Sequence, residues 1–589
     1  MEEENTVHYY SAEKNVLQLL ALMKAHGVRK IVISPGGTNV CLVTSVQTDR
    51  YFELYSCVDE RSAAYMACGL AEESGEPVAI SCTGATASRN YYPALTEAFY
   101  RKLPILAITS TRSIGQIGQN IDQVTDRSRQ ANDVVVRSEY IPVPNTGDEE
   151  WENNVKINSA LIDLRRHGGG PVHLNLMTRY TNDFSVKSLP QERVIRYYSY
   201  GDTLPSLMGG RVGIFVGAHK KWSKGLTEAV DAFCACYGAV VLTEPGSNYQ
   251  GQYAVPYNLI CSQKTDKKLK PFDVVIHLGE TALFLFGHTG EIWRVNRDGR
   301  VRDTFRKLTN VFELEEETFF RQYVSLAAER KNRPACEDMA EAWRGRQAEL
   351  EKKAETAPLP FSNVWIAQQC CRKLPAGCEL HLGILNSARS WTYFTIEGRH
   401  DIFCNTGGYG IDGGLSTLTG ASLVDPGKLY FGIVGDLAFF YDMNALGNRH
   451  IGKNLRLMII HNGLGGEFKL KSKLPQRAGL GDEADPFIAA SGHFGNQSRE
   501  LVKGYAAALG FTYLTADSKE SFREQMERFF SDEIRESIVF EVFTSNRDDA
   551  QAVQMMETLE PENTNKAKEK IKRVLGEKNV QTIKRVIRG

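Results

Sequence analysis

The chain has 589 residues, 42% hydrophobic and 24% charged, with 70 Lys and Arg set against 71 Asp and Glu for a net charge of −1. That length predicts three or four domains, and the composition supports packed cores and argues against disorder. The balanced charge argues against a nucleic-acid or membrane-surface role, and no apolar run reaches the length of a membrane span.

In chain order, the acidic start Met1-Glu2-Glu3-Glu4-Asn5 lacks the apolar core of an export signal, and the 12 Cys show no zinc-type spacing. They read as reduced, mostly buried thiols of a cytoplasmic protein. Val16–His26 has helical periodicity, and Lys30–Ser34 is a short buried strand that stops at Pro35-Gly36-Gly37. Ala63–Glu73 predicts a helix of small residues, Pro77–Cys82 a strand ending at Thr83-Gly84, Tyr92–Arg101 a helix and Pro104–Thr109 a strand. Such alternation predicts a parallel doubly wound sheet, in which ligands sit at the carboxyl ends of the strands. A second α/β block over 205–330 has strands at Val212–Val216, Ala239–Leu242 and Phe272–Leu278. The charged stretch within 331–359 reads as helix and linker. A third block over 360–545 has strands at Glu379–Leu382, Leu429–Val434, Leu455–His461 and Ser537–Val542. Residues 546–589 form a basic tail with apolar residues at helical spacing. The tail is either an amphipathic helix packed on the body or a contact to an anionic substrate, partner or lipid surface. The fold class is α/β: three doubly wound parallel-sheet domains over 1–190, 205–330 and 360–545, plus a basic helical tail.

The third block carries the strongest chemical pattern. One strand leads into Gly435-Asp436-Leu437-Ala438 and a helix over Phe439–Asn448, and the next ends at His461-Asn462-Gly463-Leu464. Asp436 and Asn462 therefore stand at the ends of successive parallel strands, on one sheet edge. A carboxylate and an amide oxygen are hard ligands suited to Mg²⁺ or Ca²⁺. The amides after Gly435 open a helix and favour a phosphate, and Gly435 and Gly463 admit close backbone approach. Gly435-Asp436 followed by Asn462 resembles the metal–diphosphate motif of the thiamine-diphosphate-dependent enzymes. That family usually has two Asn at the second strand end, and here the first is His461. The resemblance implies Mg²⁺ ligation by Asp436, Asn462 and the carbonyl of Leu464, with Gly435, Leu437, Ala438 and Gly463 against the cofactor.

Val58-Asp59-Glu60-Arg61-Ser62-Ala63-Ala64 in the first block resembles the segment with the family's catalytic glutamate. That resemblance makes Glu60 the acid that hydrogen-bonds the cofactor's aminopyrimidine and promotes loss of the thiazolium proton. At the start of an apolar helix its carboxyl is expected to be desolvated. The structural alternative is an acid placed for the helix dipole. Gly84 and Asn90 fall in a stretch similar to the glycine-rich turn lining the family's site. Ile411, in a Gly-rich segment, matches the bulky apolar residue that bends the cofactor.

Within the family the chain resembles the menaquinone-pathway synthases that add a succinic semialdehyde unit to isochorismate, and acetolactate synthases more distantly. The shared phrases are Ile33-Ser34-Pro35-Gly36, Gly410-Ile411-Asp412-Gly413, Gly435-Asp436-Leu437 and Asp442-Met443-Asn444-Ala445-Leu446. Those synthases grip substrate carboxylates with arginines where this chain has Thr38, Thr406 and Trp391, and only Arg112 remains. Thr cannot replace a bidentate arginine clamp. Arg89 and Arg389 could compensate. Lys469, Lys471 and Lys473 after the metal loop are either a solvated basic loop or contacts to an anionic acceptor. The expected activity is decarboxylation of a 2-oxo acid such as pyruvate or 2-oxoglutarate. The carbanion is then ligated to a carbonyl or enone acceptor other than isochorismate. A plain decarboxylase releasing an aldehyde is the alternative, and a catalytically silent cofactor-binding protein is another. The first block has only His8, His26, His167 and His173, with none of the paired histidines of simple decarboxylases. Thiamine diphosphate and Mg²⁺ are the implied cofactors, and no FAD motif is visible in the central block. The resemblance implies small-molecule substrates and a homodimer or homotetramer with active sites at the subunit interface.

Overall fold

The computed structural model describes residues 9–207, 210–263, 269–285, 287, 290–329, 338–398, 400–469 and 478–560. The predicted tail beyond residue 560, Lys471, Lys473 and the acidic start lie outside the described residues. Two compact units are present, one built from residues up to Thr203 with Asp298–Glu313, the other from Leu204–Arg297 and the residues from Leu314 on.

The first unit holds β1 (Lys30–Ile33), β2 (Glu53–Ser56), β3 (Val78–Thr83), β4 (Ile105–Thr111), β5 (Arg137–Ile141) and β6 (Val172–Met177). They form one parallel sheet in the order β2-β1-β3-β4-β6-β5. β3 and β4 are buried throughout, as central parallel strands with both faces covered must be. Side chains alternate between two cores. Ile31, Leu106 and Leu174 face the helices Lys14–Ala25 and Gly147–Asp163. Val32, Ile80 and Ala107 face Glu60–Ser74 and Tyr92–Arg101. Ala63, Ala64, Ala67, Cys68 and Ala71 line the buried face of Glu60–Ser74, and such small residues let it sit close on the sheet.

β7 (Arg196–Tyr198) follows, then β8 (Val212–Val216), β9 (Val240–Thr243), β10 (Ala254–Pro256), β11 (Val274–Leu278) and β12 (Glu291–Asn296), and β13 (Leu308–Glu313). β7 and β13 pair in the first unit. In the second unit β10-β9-β8-β11-β12 form a parallel array. The charged stretch after it holds the helix Met339–Thr356, capped by Asp338, whose side chain accepts from Glu341 N.

The last sheet comprises β14 (Glu379–Leu382), β15 (Asp401–Phe403), β16 (Tyr430–Gly435), β17 (Leu455–His461), β18 (Thr512–Ala516) and β19 (Ile538–Phe543), in the parallel order β15-β14-β16-β17-β19-β18. Gly435 is in register with Ile460, so the residues that follow β16 and β17 leave the sheet at one level. The helix expected over Phe439–Asn448 instead begins at Asp436 and ends at Asp442, followed by a 3₁₀ turn over Met443–Gly447. Gly435 stays extended, with φ −78° and ψ 162°, and serves as the cap, so the turn into the helix is immediate. Among the described residues, no helix is long and apolar enough to cross a membrane.

Candidate active site

Asp436 is 3% exposed, and its Oδ2 accepts from the backbone N–H of Gly463 at 2.8 Å. Burial pushes its carboxyl up to about 6, against the opposing pull of His461 and of the Gly463 and Leu437 amides. The His461 ring stands 3.9 Å from the same Oδ2. Asn462 is already oriented by its neighbours. Its Nδ2 donates to Asp549 Oδ2 at 3.0 Å, and its Oδ1 meets only Leu464 N, at 3.3 Å. Asn546 Nδ2 fixes the Asn462 carbonyl at 2.8 Å. Gly463 has φ +79°, a conformation that favours glycine, and its carbonyl accepts from Asn496 and Gln497 at 3.1 and 2.9 Å. Among the described residues, no group of three or more His, Cys, Asp or Glu could hold a metal. One carboxylate, one amide oxygen and one carbonyl suit Mg²⁺, which keeps waters and takes phosphate oxygens. The donor set fits the metal and diphosphate expected there.

His461, where the family usually has Asn, is clamped from both sides. Its Nδ1 lies 2.6 Å from Glu541 Oε1 and its Nε2 lies 2.7 Å from the Asn496 carbonyl. The Asn496 carbonyl can only accept, so Nε2 carries a proton, and Nδ1 shares one with the Glu541 carboxyl. Burial lowers its pKa, but the bonds to Glu541 and Asn496 outweigh that and the net shift is upward.

Ile411 and Ala438 line one cavity at the carboxyl ends of β14, β15 and β16, with Gly383, Asn405 and Val434. The Gly-rich segment is tied down at both ends. Tyr409 OH donates to the Leu283 carbonyl at 3.0 Å, and Asp442 accepts from Ser416 N and Oγ, both at 2.6 Å.

In the first unit Asp59 and Glu60 divide their work. Asp59 caps the helix, accepting from Ser62 N at 2.7 Å. Glu60, half-buried, accepts from Asn90 Nδ2 through Oε2 at 3.0 Å. Thr38 is buried and braces the strand ends: its Oγ1 accepts from Gly84 N at 3.3 Å and donates to the Ser110 carbonyl at 3.4 Å. Arg112 gives Nε to Tyr180 OH at 3.1 Å and its fork to Asp122 at 3.3 and 3.4 Å.

Several side chains expected at the substrate are placed otherwise. Arg389 is not free to compensate for missing arginines, because Glu467 takes its Nη1 at 2.5 Å and its Nη2 at 3.1 Å. Lys469 is held by Asp482 at 2.7 Å and by Asp485. Trp391 is 0% exposed and is a core residue, and Thr406 is buried with its N–H on the Cys404 carbonyl at 2.8 Å. Glu467, Glu541, Asn546 and Asp549, which shape the metal loop, were not singled out from the sequence. Glu541, Asn546 and Asp549 stand far from it along the chain, Glu467 follows it directly, and none belongs to a motif.

Residues 16–130 match the family described as thiamine pyrophosphate enzyme, N-terminal TPP binding domain. The chain is 32% identical over 567 residues to the 2-succinyl-5-enolpyruvyl-6-hydroxy-3-cyclohexene-1-carboxylate synthase of Phocaeicola vulgatus, covering 92% of this chain and 97% of that protein. It is 29% identical over 522 residues to the synthase of the same name from Desulfotalea psychrophila, covering 84% and 93%. Fold and site together define a thiamine-diphosphate-dependent enzyme. Within that class, the chain belongs to the family of 2-succinyl-5-enolpyruvyl-6-hydroxy-3-cyclohexene-1-carboxylate synthases.

Proposed function

We propose that this chain binds thiamine diphosphate through Mg²⁺ held by Asp436, Asn462 and the Leu464 carbonyl, decarboxylates a 2-oxo acid, and ligates the product to a second carbonyl or enone acceptor. The observation that carries the reading is the register of β16 on β17, which sets a buried carboxylate beside an oriented amide oxygen. When bound, the cofactor supplies a thiazolium carbon that adds to the 2-oxo carbonyl and takes up the electrons released with CO₂. Glu60 keeps one oxygen on Asn90 and leaves Oε1 to exchange a proton with a ring nitrogen. Ile411 presents apolar bulk and Gly84 a close backbone edge. His173 is no proton donor for aldehyde release: burial and Arg127 push its pKa down to about 3, and it is enclosed by Thr109 and Ser138.

The relatives' shared name is that of a cyclohexene carboxylate product, which supports 2-oxoglutarate with isochorismate as the first pair to test. The expectation of another acceptor rests on Thr38, Thr406 and Trp391 alone, and the relatives give it no support. The assembly implied by the resemblance is a homodimer or homotetramer with active sites at the subunit interface. The direct experiment measures CO₂ release from 2-oxoglutarate and pyruvate, with and without isochorismate, in wild type and Glu60→Gln. Equal rates in the two proteins would remove Glu60 from the chemistry, and no release from either acid would remove the activity.

A further inference from the structure

Arg127 lies in the irregular segment between β4 and β5 and is 2% exposed. Side chains so deeply buried almost never carry charge without an opposite charge beside them. Arg127 has none. Nε and Nη2 both donate to Asn175 Oδ1, at 3.3 and 3.1 Å, and Nη1 donates to Thr125 Oγ1 at 3.0 Å. Both partners are neutral, and among the described residues no carboxylate pairs with this guanidinium. Of the five N–H groups of an arginine, these bonds leave one on each Nη, the geometry of a bidentate grip.

The surroundings hold the fork still without neutralising it. Asn175 Oδ1 also accepts from Thr109 Oγ1 at 3.2 Å, and Thr109 Oγ1 lies 2.7 Å from His173 Nε2. His173 is uncharged, and burial lowers the pKa of Arg127 too, with Arg89 adding positive potential. Arg89 donates to Tyr92 OH and the Asp126 carbonyl, again no anion. The guanidinium lies over Gly84, where an added Cβ would stand 2.7 Å from Nη1 and 2.8 Å from Nη2. Gly84 follows β3 at the carboxyl edge of the sheet, where ligands of such folds sit. Thr38, on the same edge, is committed to Gly84 N and the Ser110 carbonyl and brings no charge.

We propose that Arg127 receives a substrate carboxylate that survives the reaction and so selects carboxylate-bearing substrates. The inference rests on the thiamine-diphosphate reading above. The carboxylate that leaves as CO₂ is the wrong partner, because pairing it would stabilise the ground state more than the transition state. Two sources remain, the distal carboxylate of a dicarboxylic 2-oxo acid and a carboxylate of the acceptor.

The test compares the holoenzyme, loaded with thiamine diphosphate and Mg²⁺, with Arg127→Gln and Arg127→Lys. Calorimetry gives the Kd of thiamine diphosphate and of succinate, an unreactive dicarboxylate. Kinetics give KM and kcat for 2-oxoglutarate, pyruvate and isochorismate. Loss of a charge-assisted, bidentate contact is expected to raise the relevant KM about 10- to 100-fold in Arg127→Gln, with a smaller change in kcat and partial rescue by Lys. A fall in the 2-oxoglutarate to pyruvate ratio of kcat/KM, with weaker succinate binding, assigns the donor. A raised isochorismate KM without that fall assigns the acceptor. Unchanged KM values and succinate Kd overturn the inference, as does a uniform loss for all three substrates that Lys does not rescue. Wild type that fails to bind thiamine diphosphate overturns the cofactor reading, and this inference with it. Binding that is intact with Arg127→Gln indifferent overturns this inference alone.

Discussion

Gly463 donates its backbone N–H to Asp436 Oδ2 at 2.8 Å, joining the ends of β16 and β17 through a carboxylate that is 3% exposed. Burial raises the Asp436 pKa to about 6 from an ordinary 3.8. A raised carboxyl favours the fold while it is protonated. That contribution is complete below the unfolded pKa near 4 and is lost as pH rises through 6. The difference of about two pKa units corresponds to about 3 kcal/mol in the metal-free protein. Mg²⁺ bound to the ionised form, as proposed, would reverse the balance. The expected outcome is that Mg²⁺ raises the melting temperature strongly at pH 7 to 8, with the effect fading below about pH 6. Asp436→Asn should be insensitive to both Mg²⁺ and this pH window. Thermal melts of the two proteins across pH 5 to 8 decide it, and an equal Mg²⁺ response in Asp436→Asn would sink the ligand assignment.

Asp59 and Glu60 are adjacent acids with separable roles. Asp59→Ala removes the bond to Ser62 N and should lower the melting temperature while leaving kcat within a few-fold. Glu60→Gln keeps a side chain of the same shape beside Asn90 and should leave the melt unchanged. Its CO₂ release should fall about 100- to 10,000-fold, the range of a general acid–base group. Circular dichroism melts and a CO₂ assay on both variants separate the two roles. A reversed pattern would make Glu60 the structural acid.

The difference between these acids also shows what could be read from the chain alone. Strand ends at Gly435 and His461 are legible because parallel strands buried on both faces read as unbroken apolar runs, and ligands of such folds sit just past them. The helix that Glu60 opens is legible because Ala63, Ala64, Ala67 and Ala71 fall at helical spacing on its buried face. Asp549 and Glu541 are not. They orient Asn462 and His461 from positions 87 and 80 residues downstream, through single hydrogen bonds that leave no local pattern. Arg389 shows the opposite failure. Its position could be read but its availability could not, because the Glu467 that takes its charge lies on another element.

Gly84 tests whether close approach is essential at the edge of the first sheet. Its φ of −62° suits alanine, so strain is not the obstacle. The added Cβ would stand 2.7 Å from both the Ser110 carbonyl and Arg127 Nη1. The carbonyl belongs to β4 and cannot yield cheaply. Gly84→Ala should destabilise the protein by about 1–3 kcal/mol, as overpacking commonly does. It should also raise the KM of any substrate bound through Arg127. A variant with wild-type urea midpoint would show that the guanidinium swings aside and that the packing is looser than the distances state.

The Arg389–Glu467 pair is nearly sealed, with side chains 14% and 11% exposed. Its two contacts run parallel, and the guanidinium also lies 5.5 Å from the centroid of the Phe284 ring. Removing one partner leaves the other charged and buried, which costs about 3–5 kcal/mol. Removing both, as in Arg389→Met with Glu467→Leu, discards the unpaired charge and should lose far less than the sum of the single changes. The coupling from a double-mutant cycle in urea is expected to exceed about 1 kcal/mol. Glu467 follows directly on the metal loop, and Gly466 lies so close to Asn386 that an added Cβ would meet its Nδ2 at 2.9 Å. Glu467→Leu alone should therefore also weaken thiamine diphosphate binding in Mg²⁺, because the freed Arg389 charge would stand behind the loop proposed to hold the cation. Additive single changes with unaltered cofactor Kd would show that the two side chains are not coupled and do not act on the loop.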